Sequence, residues 1–529
     1  MSAEHVTDPL AVASDPAVER ADRRDWLALG VLVLPALLLF MMLTVLFLAM
    51  PHMAADLRPT GAQALWILDV YGFLMAGFLV LMGAVADRFG HRTLLVAGAA
   101  LFGAVSVVAA STTDPAIMIA CRAVLGVAAA AQMPATLGLI FTIFRDAGRR
   151  AVAIGVWAAG ISAGVALGPL VGGLLLEFAG WQATFLIAVP VMAVVVAAAP
   201  VLLPPHRAVA SNGRIDVGSA VLLLAALLPL VYGIKTAATG SSPAVSAAAV
   251  AAGLGFGAWF VARQLGSAQP LLDLRLFANR TVAGALAVFT LSATALGGVY
   301  LLFTQYLQLV LELSPIRAGL AILPAALVLV AVATTAPRLA RRHRPGYVIA
   351  AGLAVQVVGY LLLTLLGPGT ALIWVIAAFV VVYPAVAPSM ALTTDLVVGS
   401  VTPEKAGAAS GLTSTVNDLG LSLGITVIDS ISAATYTARV ESVLPADLPV
   451  AIATSARLGI DAATAAAAGA PAELAGPLLA AAHDAFTAAL HTGAAVAAGI
   501  AAVGAVLAAG LLRHAPATAE ARHEHVRDD

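Results

Sequence analysis

Asp69 stands inside an apolar run, Leu65-Trp66-Ile67-Leu68-Asp69-Val70-Tyr71, with Trp66 three residues before it on the same helical face. A carboxylate beside an indole offers a lipophilic cation both charge compensation and a π face. In apolar surroundings the same group can hold a proton when the cation is absent. Its alternative role is a structural acid paired with a nearby base. Each ionisable residue in a membrane-crossing helix costs about 2.5–3.5 kcal/mol on insertion scales, so each is a candidate for function. Asp418, in Ser414-Thr-Val-Asn417-Asp418-Leu-Gly420, is the second acid, with hydrogen-bonded packing as its other explanation. Arg122 is the one base within a span and is expected to pair with an acid or with backbone carbonyls. Tyr71 and Trp157 add aromatic surface, while Asp395 and Asp429 lie nearer span ends, where solvation is the simpler expectation. The sequence holds no phosphate-binding Gly-Lys-Ser/Thr loop, no nucleophile–base cluster and no metal-ligand spacing, and Cys121 is its single cysteine. The expectation is a protein that is not an enzyme, uses no cofactor or metal and does not draw on ATP. His91, His206 and His343 read as solvated loop residues.

The elements that carry these residues are membrane helices. The chain of 529 residues is 61% hydrophobic and 10% charged, with a mean hydropathy of +1.00, more apolar surface than a water-soluble core can hide. A span needs about 20 apolar residues. Fourteen such runs are expected, near 26–50, 63–83, 93–111, 115–143, 151–178, 184–203, 217–234, 245–262, 282–311, 318–335, 348–366, 371–398, 408–433 and 492–512. Of the 27 Lys and Arg, only Arg58, Lys235, Arg317, Arg439 and Arg457 fall on the side opposite the termini, and Arg122 is within a span. The excess of positive charge puts both termini in the cytoplasm. The run at 26–50 is longer than a signal-peptide core and reads as a retained span. Thr435–His491 is expected to be one long segment outside, with Ala472–Leu490 able to form a helix, and either a low-complexity alanine helix or a lid over the outer mouth.

Between the second and third spans lies Gly83-Ala-Val-Ala-Asp87-Arg88-Phe-Gly90-His91-Arg92. Gly83 would let a helix end approach a neighbour, Gly90 can take a positive φ, and Asp87 can cap a helix N-terminus. Span 5 reads Gly160-Ile-Ser-Ala-Gly164-Val-Ala-Leu-Gly168-Pro169-Leu-Val-Gly172-Gly173, whose glycines every four residues make a flat groove for another helix and whose proline removes a backbone donor. The loop pattern resembles the signature loop of the major facilitator superfamily, and the span-5 pattern resembles the antiporter motif of its drug exporters. Arg122-Ala-Val-Leu-Gly126, Trp181 with Phe185–Pro190, and Pro270-Leu-Leu-Asp273-Leu-Arg275-Leu-Phe277 are similar to segments of its fourteen-span drug:proton antiporter branch, and Leu65–Tyr71 to the QacA-like exporters of that branch.

The resemblance implies an all-α membrane fold of two six-helix bundles with two extra central helices: a cytoplasmic tail (1–25), an N-terminal bundle (26–204), an inserted pair (205–270), a C-terminal bundle (271–512) that includes the outer segment 435–491, and a second tail (513–529). It implies a proton-driven exporter of lipophilic compounds working by alternating access, monomeric, in the plasma membrane, with no nucleic-acid partner. Asp69, Asp418 and Arg122 would serve coupling and binding with Trp66, Tyr71 and Trp157. Gly83, Asp87, Arg88, Gly90 and Arg92 would form the cytoplasmic gate, with Asp87 at the start of span 13 near Ala406–Ala409. A dedicated exporter of one natural product or lipid, and a membrane sensor that transports nothing, are the competing expectations. The sequence departs from the branch at Met42, Leu329 and Ser414, where QacA-like exporters that handle divalent cations carry acids. Fewer acids imply monovalent or neutral substrates.

Overall fold

The computed structural model describes residues 16–144, 146–205, 216–238, 243–267, 278–399, 406–445 and 448–513. The Pro270–Phe277 motif and Lys405 lie outside the described residues, as do the side chains of Asp87, Ser414, Asp418 and the Ala406–Ala409 segment. The described chain is helical almost throughout, with no strand. In order come α1 (Pro16–Leu57), α2 (Gly61–Phe89), α3 (His91–Ser111), α4 (Pro115–Ile143), α5 (Ala147–Ala179), α6 (Gln182–Leu186), α7 (Ala188–Leu202), α8 (Val217–Ala238), α9 (Pro243–Gly266) and α10 (Arg280–Gln305). They are followed by α11 (Pro315–Leu339), α12 (Pro345–Leu363), α13 (Leu372–Val382), α14 (Ala387–Val398), α15 (Ala406–Val443), α16 (Val450–Leu458), α17 (Ile460–Ala468) and α18 (Ala472–Leu511). Among the described residues 12 helical segments are long and apolar enough to cross a membrane; α2 and α8 contribute shorter apolar stretches, Trp66–Leu79 and Val221–Gly233.

Local chemistry sets the helix ends. Thr60 and Gln63 form a capping box at the start of α2, Asp114 with Pro115 starts α4, and Asp146 and Asn279 accept from the first-turn amides of α5 and α10. Three expected spans are interrupted: the sixth breaks between α6 and α7, the ninth ends in a π turn (Tyr306–Val310), and the twelfth passes through a 3₁₀ turn (Pro384–Val386) between α13 and α14. The long segment expected at 435–491 is mostly helix, over more of its length than the expected Ala472–Leu490. α15 runs on to Val443, α18 starts at Ala472, and α16 and α17 lie between them. Alanine, the best helix former, dominates this stretch.

Two bundles result. In the first, α1 packs on α5, α2 on α4, and α3 on α4 and α7; in the second, α10 packs on α15 and α18, and α12 on α18 and α13. The bundles meet through α2 with α15 and α5 with α11, while α8 and α9 pair with each other and α8 leans on both α2 and α15. The base of the α8–α9 hairpin is fixed by an Arg263–Asp216 ion pair (2.9 Å) and by Ser219, which accepts from Arg263 and buried Gln264. Burial pushes the Asp216 carboxyl up, but hydrogen bonds from Arg263 and Ser219 outweigh it and hold the group below the usual carboxylate range. Arg24 at the start of α1 donates to Val201 O, and Arg344 donates to Arg513 O beside the end of α18. Both places lie at the end of the molecule where α1 begins and α18 ends, the terminal end; the opposite end is called distal.

Candidate functional site

The site is built where α1, α2, α4 and α15 converge. Gly126 lets α4 close on α2: a methyl group there would lie 2.5 Å from Tyr71 O. One turn away on the same face, Arg122 is fully buried and donates through Nε to Ile67 O (3.0 Å) and through Nη2 to Leu68 O (3.5 Å). Its guanidinium lies over the Tyr71 ring, 4.4 Å from the centroid, and the Tyr71 hydroxyl donates to Leu39 O of α1 at 3.4 Å. Backbone carbonyls of α2, one of the two kinds of partner expected for Arg122, accept from it, with the tyrosine face added. The R-x-x-x-G spacing thus has a physical sense, because the glycine provides the approach that the arginine uses.

Asp69 is 2% exposed and points across the seam between bundles, where the Thr426 hydroxyl of α15 donates to its Oδ2 at 3.5 Å. Among the described residues Asp69 and Arg122 are the buried charged side chains, and both act on the same two turns of α2. Trp66 is half-buried one turn earlier. Trp157 is placed elsewhere: its indole Nε1 donates to Thr136 Oγ1 (3.2 Å), which ties α5 to α4. Met42, at the position of the missing acid, is buried in the apolar core of the first bundle, and Leu329 is likewise buried. Asp418 and Asp87, the other acids of the expected site and gate, have side chains outside the described residues.

The glycine motif of α5 serves two faces. Gly160, Gly164, Gly168 and Gly172 lie against Val33, Leu37, Thr44 and Val45 of α1, and at Gly164 and Gly168 a methyl group would strike α1 itself. Gly173 faces the other bundle, where a methyl group would come within 2.5 Å of Pro315 O, and on α11 Gly319 closes against Pro169. Pro169 has no N–H for Val165 O, its partner in a regular helix. The Thr44 hydroxyl reaches that carbonyl at 3.4 Å and Met41 O at 3.1 Å. The second bundle repeats the device between α10 and α15, where Gly297, Gly298, Gly420 and Gly424 sit against the partner helix.

In the loop after α2, Gly90 adopts φ +96° as expected and both ends α2 and precedes α3. Arg92 donates to Leu203 O, and Arg88 lies over the Phe89 ring. Gly83 differs from expectation: a methyl group there would meet nothing closer than Pro134 Cβ at 3.9 Å, an ordinary contact. His91 differs too. Its ring is half-buried against Gly138 of α4, so it packs the loop onto the bundle rather than standing in solvent.

Several described contacts cross the seam toward the distal end. They include Gly173 with Pro315, Gly319 with Pro169, Glu177 accepting from Ile316 N (3.2 Å), Gln308 Nε2 donating to Leu48 O (3.1 Å), and Phe47 against Tyr300. At that end α17 also packs on α18, on the π turn and on α1.

The family model of the Major Facilitator Superfamily matches residues 32–425. The chain belongs to this superfamily. It is 40% identical over 475 residues to the multidrug efflux pump LfrA of Mycolicibacterium smegmatis, covering 90% of this chain and 94% of that one. It is 34% identical over 430 residues to the methyl viologen resistance protein SmvA of Salmonella typhimurium, covering 80% and 86%. Among solved structures, an inward-facing, unoccupied bacterial homologue of the lysosomal transporter Spinster matches with a TM-score of 0.64 at 17% identity, over 93% of this chain and 98% of that one. That likeness shows the fold of this multi-pass membrane protein. The efflux pump and the resistance protein bear on what the fold does.

Proposed function

We propose that this protein is a proton-coupled multidrug efflux antiporter that exports lipophilic cations and neutral compounds across the plasma membrane by alternating access. The observation that carries the reading is Asp69, a carboxylate buried on α2 and held by Thr426 of the opposite bundle. A charge so placed is costly, and at a seam that must open and close it is where proton and substrate can compete. The proton, bound when the seam opens outward, neutralises the carboxylate; its departure inside leaves an anion to attract a cation. Arg122, fixed on the carbonyls of the turn that carries Asp69, positions that turn, and the glycine faces of α5 and α11 provide the surface on which the bundles rock.

The distribution of basic residues supports a cytoplasmic terminal end. The distal contacts between the bundles then lie on the outer side. The relatives' names, a multidrug efflux pump and a methyl viologen resistance protein, favour export over uptake. Methyl viologen carries two positive charges, so SmvA also bears on the monovalent preference inferred from Met42, Leu329 and Ser414. The test is transport in liposomes under an imposed proton gradient, with ethidium and methyl viologen, for the wild type and Asp69→Asn. Gradient-driven ethidium movement that is lost in the variant supports the antiporter. Equal movement in both proteins moves the coupling site away from Asp69, and strong methyl viologen transport removes the monovalent preference.

A further inference from the structure

A cluster of five aromatic side chains occupies the seam on the side of the second bundle. Phe303 of α10 and Phe379 of α13 stack with centroids 3.9 Å apart and planes 4° from parallel, and Tyr383 continues on Phe379 at 5.4 Å and 11°. Tyr300 tilts against Phe379 (5.9 Å) and Tyr383 (5.3 Å). Phe47, from α1 of the other bundle, meets Tyr300 edge-on at 5.2 Å and 65°. Rings at helical spacing usually mean apolar core, but two features here do not fit a core alone. Tyr300 is 4% exposed and its hydroxyl has no hydrogen-bond partner among the described residues, a deficit that phenylalanine would avoid while filling nearly the same space. The other feature is position. The Phe47–Tyr300 contact joins two bodies that must separate when the distal end opens, as does the neighbouring Gln308–Leu48 bond, and Gln308 Oε1 is also buried without a partner.

We infer that this cluster is a recognition face for planar aromatic substrates, with the Tyr300 hydroxyl as the anchor for a polar substituent on the ring system. Withdrawal of Phe47 from Tyr300 bares an aromatic ring edge and a hydroxyl that can both donate and accept. A planar ligand loaded from inside meets this face as the distal end opens, replaces the Phe47 contact and satisfies the phenol. The assignment rests on the efflux reading and adds selectivity to it: Asp69 supplies charge without shape, whereas the cluster supplies shape without charge. Planar aromatic cations are then preferred over aliphatic cations of equal charge.

The test measures binding to the purified full-length protein by calorimetry, with ethidium as the planar, amino-substituted cation and tetrapropylammonium as its ring-free counterpart. Tyr300→Phe is expected to lower the ratio of ethidium to tetrapropylammonium affinity about 3- to 10-fold, and Phe379→Leu about 10-fold. Tyr300→Phe should also raise the melting temperature, because it removes the stranded hydroxyl, and it keeps the inference testable if Phe379→Leu fails to fold. An unchanged ratio in folded Tyr300→Phe overturns the aromatic site and leaves the efflux reading intact. A wild type that neither binds nor transports either cation overturns the efflux reading, and this assignment with it.

Discussion

The two bundles share an architecture and differ in chemistry. The first places a carboxylate and a guanidinium, Asp69 and Arg122, in its buried interior. In the second, the buried polar side chains among the described residues are neutral, Ser292 with Gln356 and Tyr360 among them, beside the aromatic cluster. Both keep the same glycine-to-backbone contact between corresponding helices, α1 with α5 and α10 with α15. Geometry is therefore repeated where the helices pack alike, while buried charge is confined to one bundle; under the proposed function that division separates the proton site from the substrate site. Asp69–Thr426 is the place where the charged half touches its partner.

The sharpest way to break this contrast is at Arg122. Lysine keeps the charge but has neither the planar face that covers Tyr71 nor the fork that reaches two successive carbonyls. Arg122→Lys is expected to fold and to lose about 100-fold in gradient-driven transport, roughly 3 kcal/mol, measured in liposomes beside a melting curve. Retained transport would mean that charge alone suffices, and the positioning role given to the guanidinium would fall.

The glycine faces give the next contrast, between stripe and loop. Gly164→Val drives two methyl groups into the Leu37 backbone, and a loss of about 2–3 kcal/mol or outright misfolding is expected. Gly83→Ala meets only an ordinary contact at Pro134 and should change stability by less than about 0.5 kcal/mol. Thermal unfolding in detergent compares the two. If Gly83→Ala proves the more damaging, the packing seen around α2 does not describe the functional cycle.

These cases show how far the sequence is legible. Asp69 and Arg122 stand out because charge within an apolar run has few explanations, and the α5 stripe stands out because a four-residue glycine period has one obvious geometric use. Gly83 does not make the close approach its type suggests, because a glycine shows what a helix permits, not which neighbour arrives. His91 makes the same point with a polar residue, since no local pattern reveals that Gly138 opens a seat for its ring. The aromatic cluster is hidden for a different reason. Phe47, Tyr300 and Phe379 sit far apart in sequence within uniformly apolar runs, and only the meeting of α1, α10 and α13 joins them. The interruption at the π turn likewise arises without a proline or glycine at the break to mark it.

The distal end can be tested through Asp461 on α17, outside the membrane spans, next to Tyr436 of α15. Burial pushes its carboxyl up to about 6. The sign follows from linkage: a raised acid pKa favours the folded state below the unfolded value near 3.8, and that advantage is lost as pH rises through 6. At pH 7.5 the ionised group costs about 1–2 kcal/mol after discounting for solvent near the membrane surface. Asp461→Asn should therefore raise the melting temperature at pH 7.5 and leave it unchanged near pH 4. A variant that destabilises at both would show that the carboxylate instead makes a contact the cap requires.

The smallest expected effect tests the link between α1 and the proline of α5. Pro169 leaves Val165 O without its helical donor, and Thr44 supplies a hydroxyl at 3.4 Å. Thr44→Val keeps the shape and removes the donor, so about 1 kcal/mol of stability should be lost. Pro169→Ala restores the N–H that the carbonyl lacks, so Thr44→Val made in that background should cost close to nothing at this position. A coupling of about 1 kcal/mol in the double-mutant cycle, read from unfolding in detergent, would establish that the threonine answers the proline. Additive losses would mean that Thr44 matters only through Met41 O, to which it also donates at 3.1 Å, and that the α1–α5 contact rests on the glycine stripe alone.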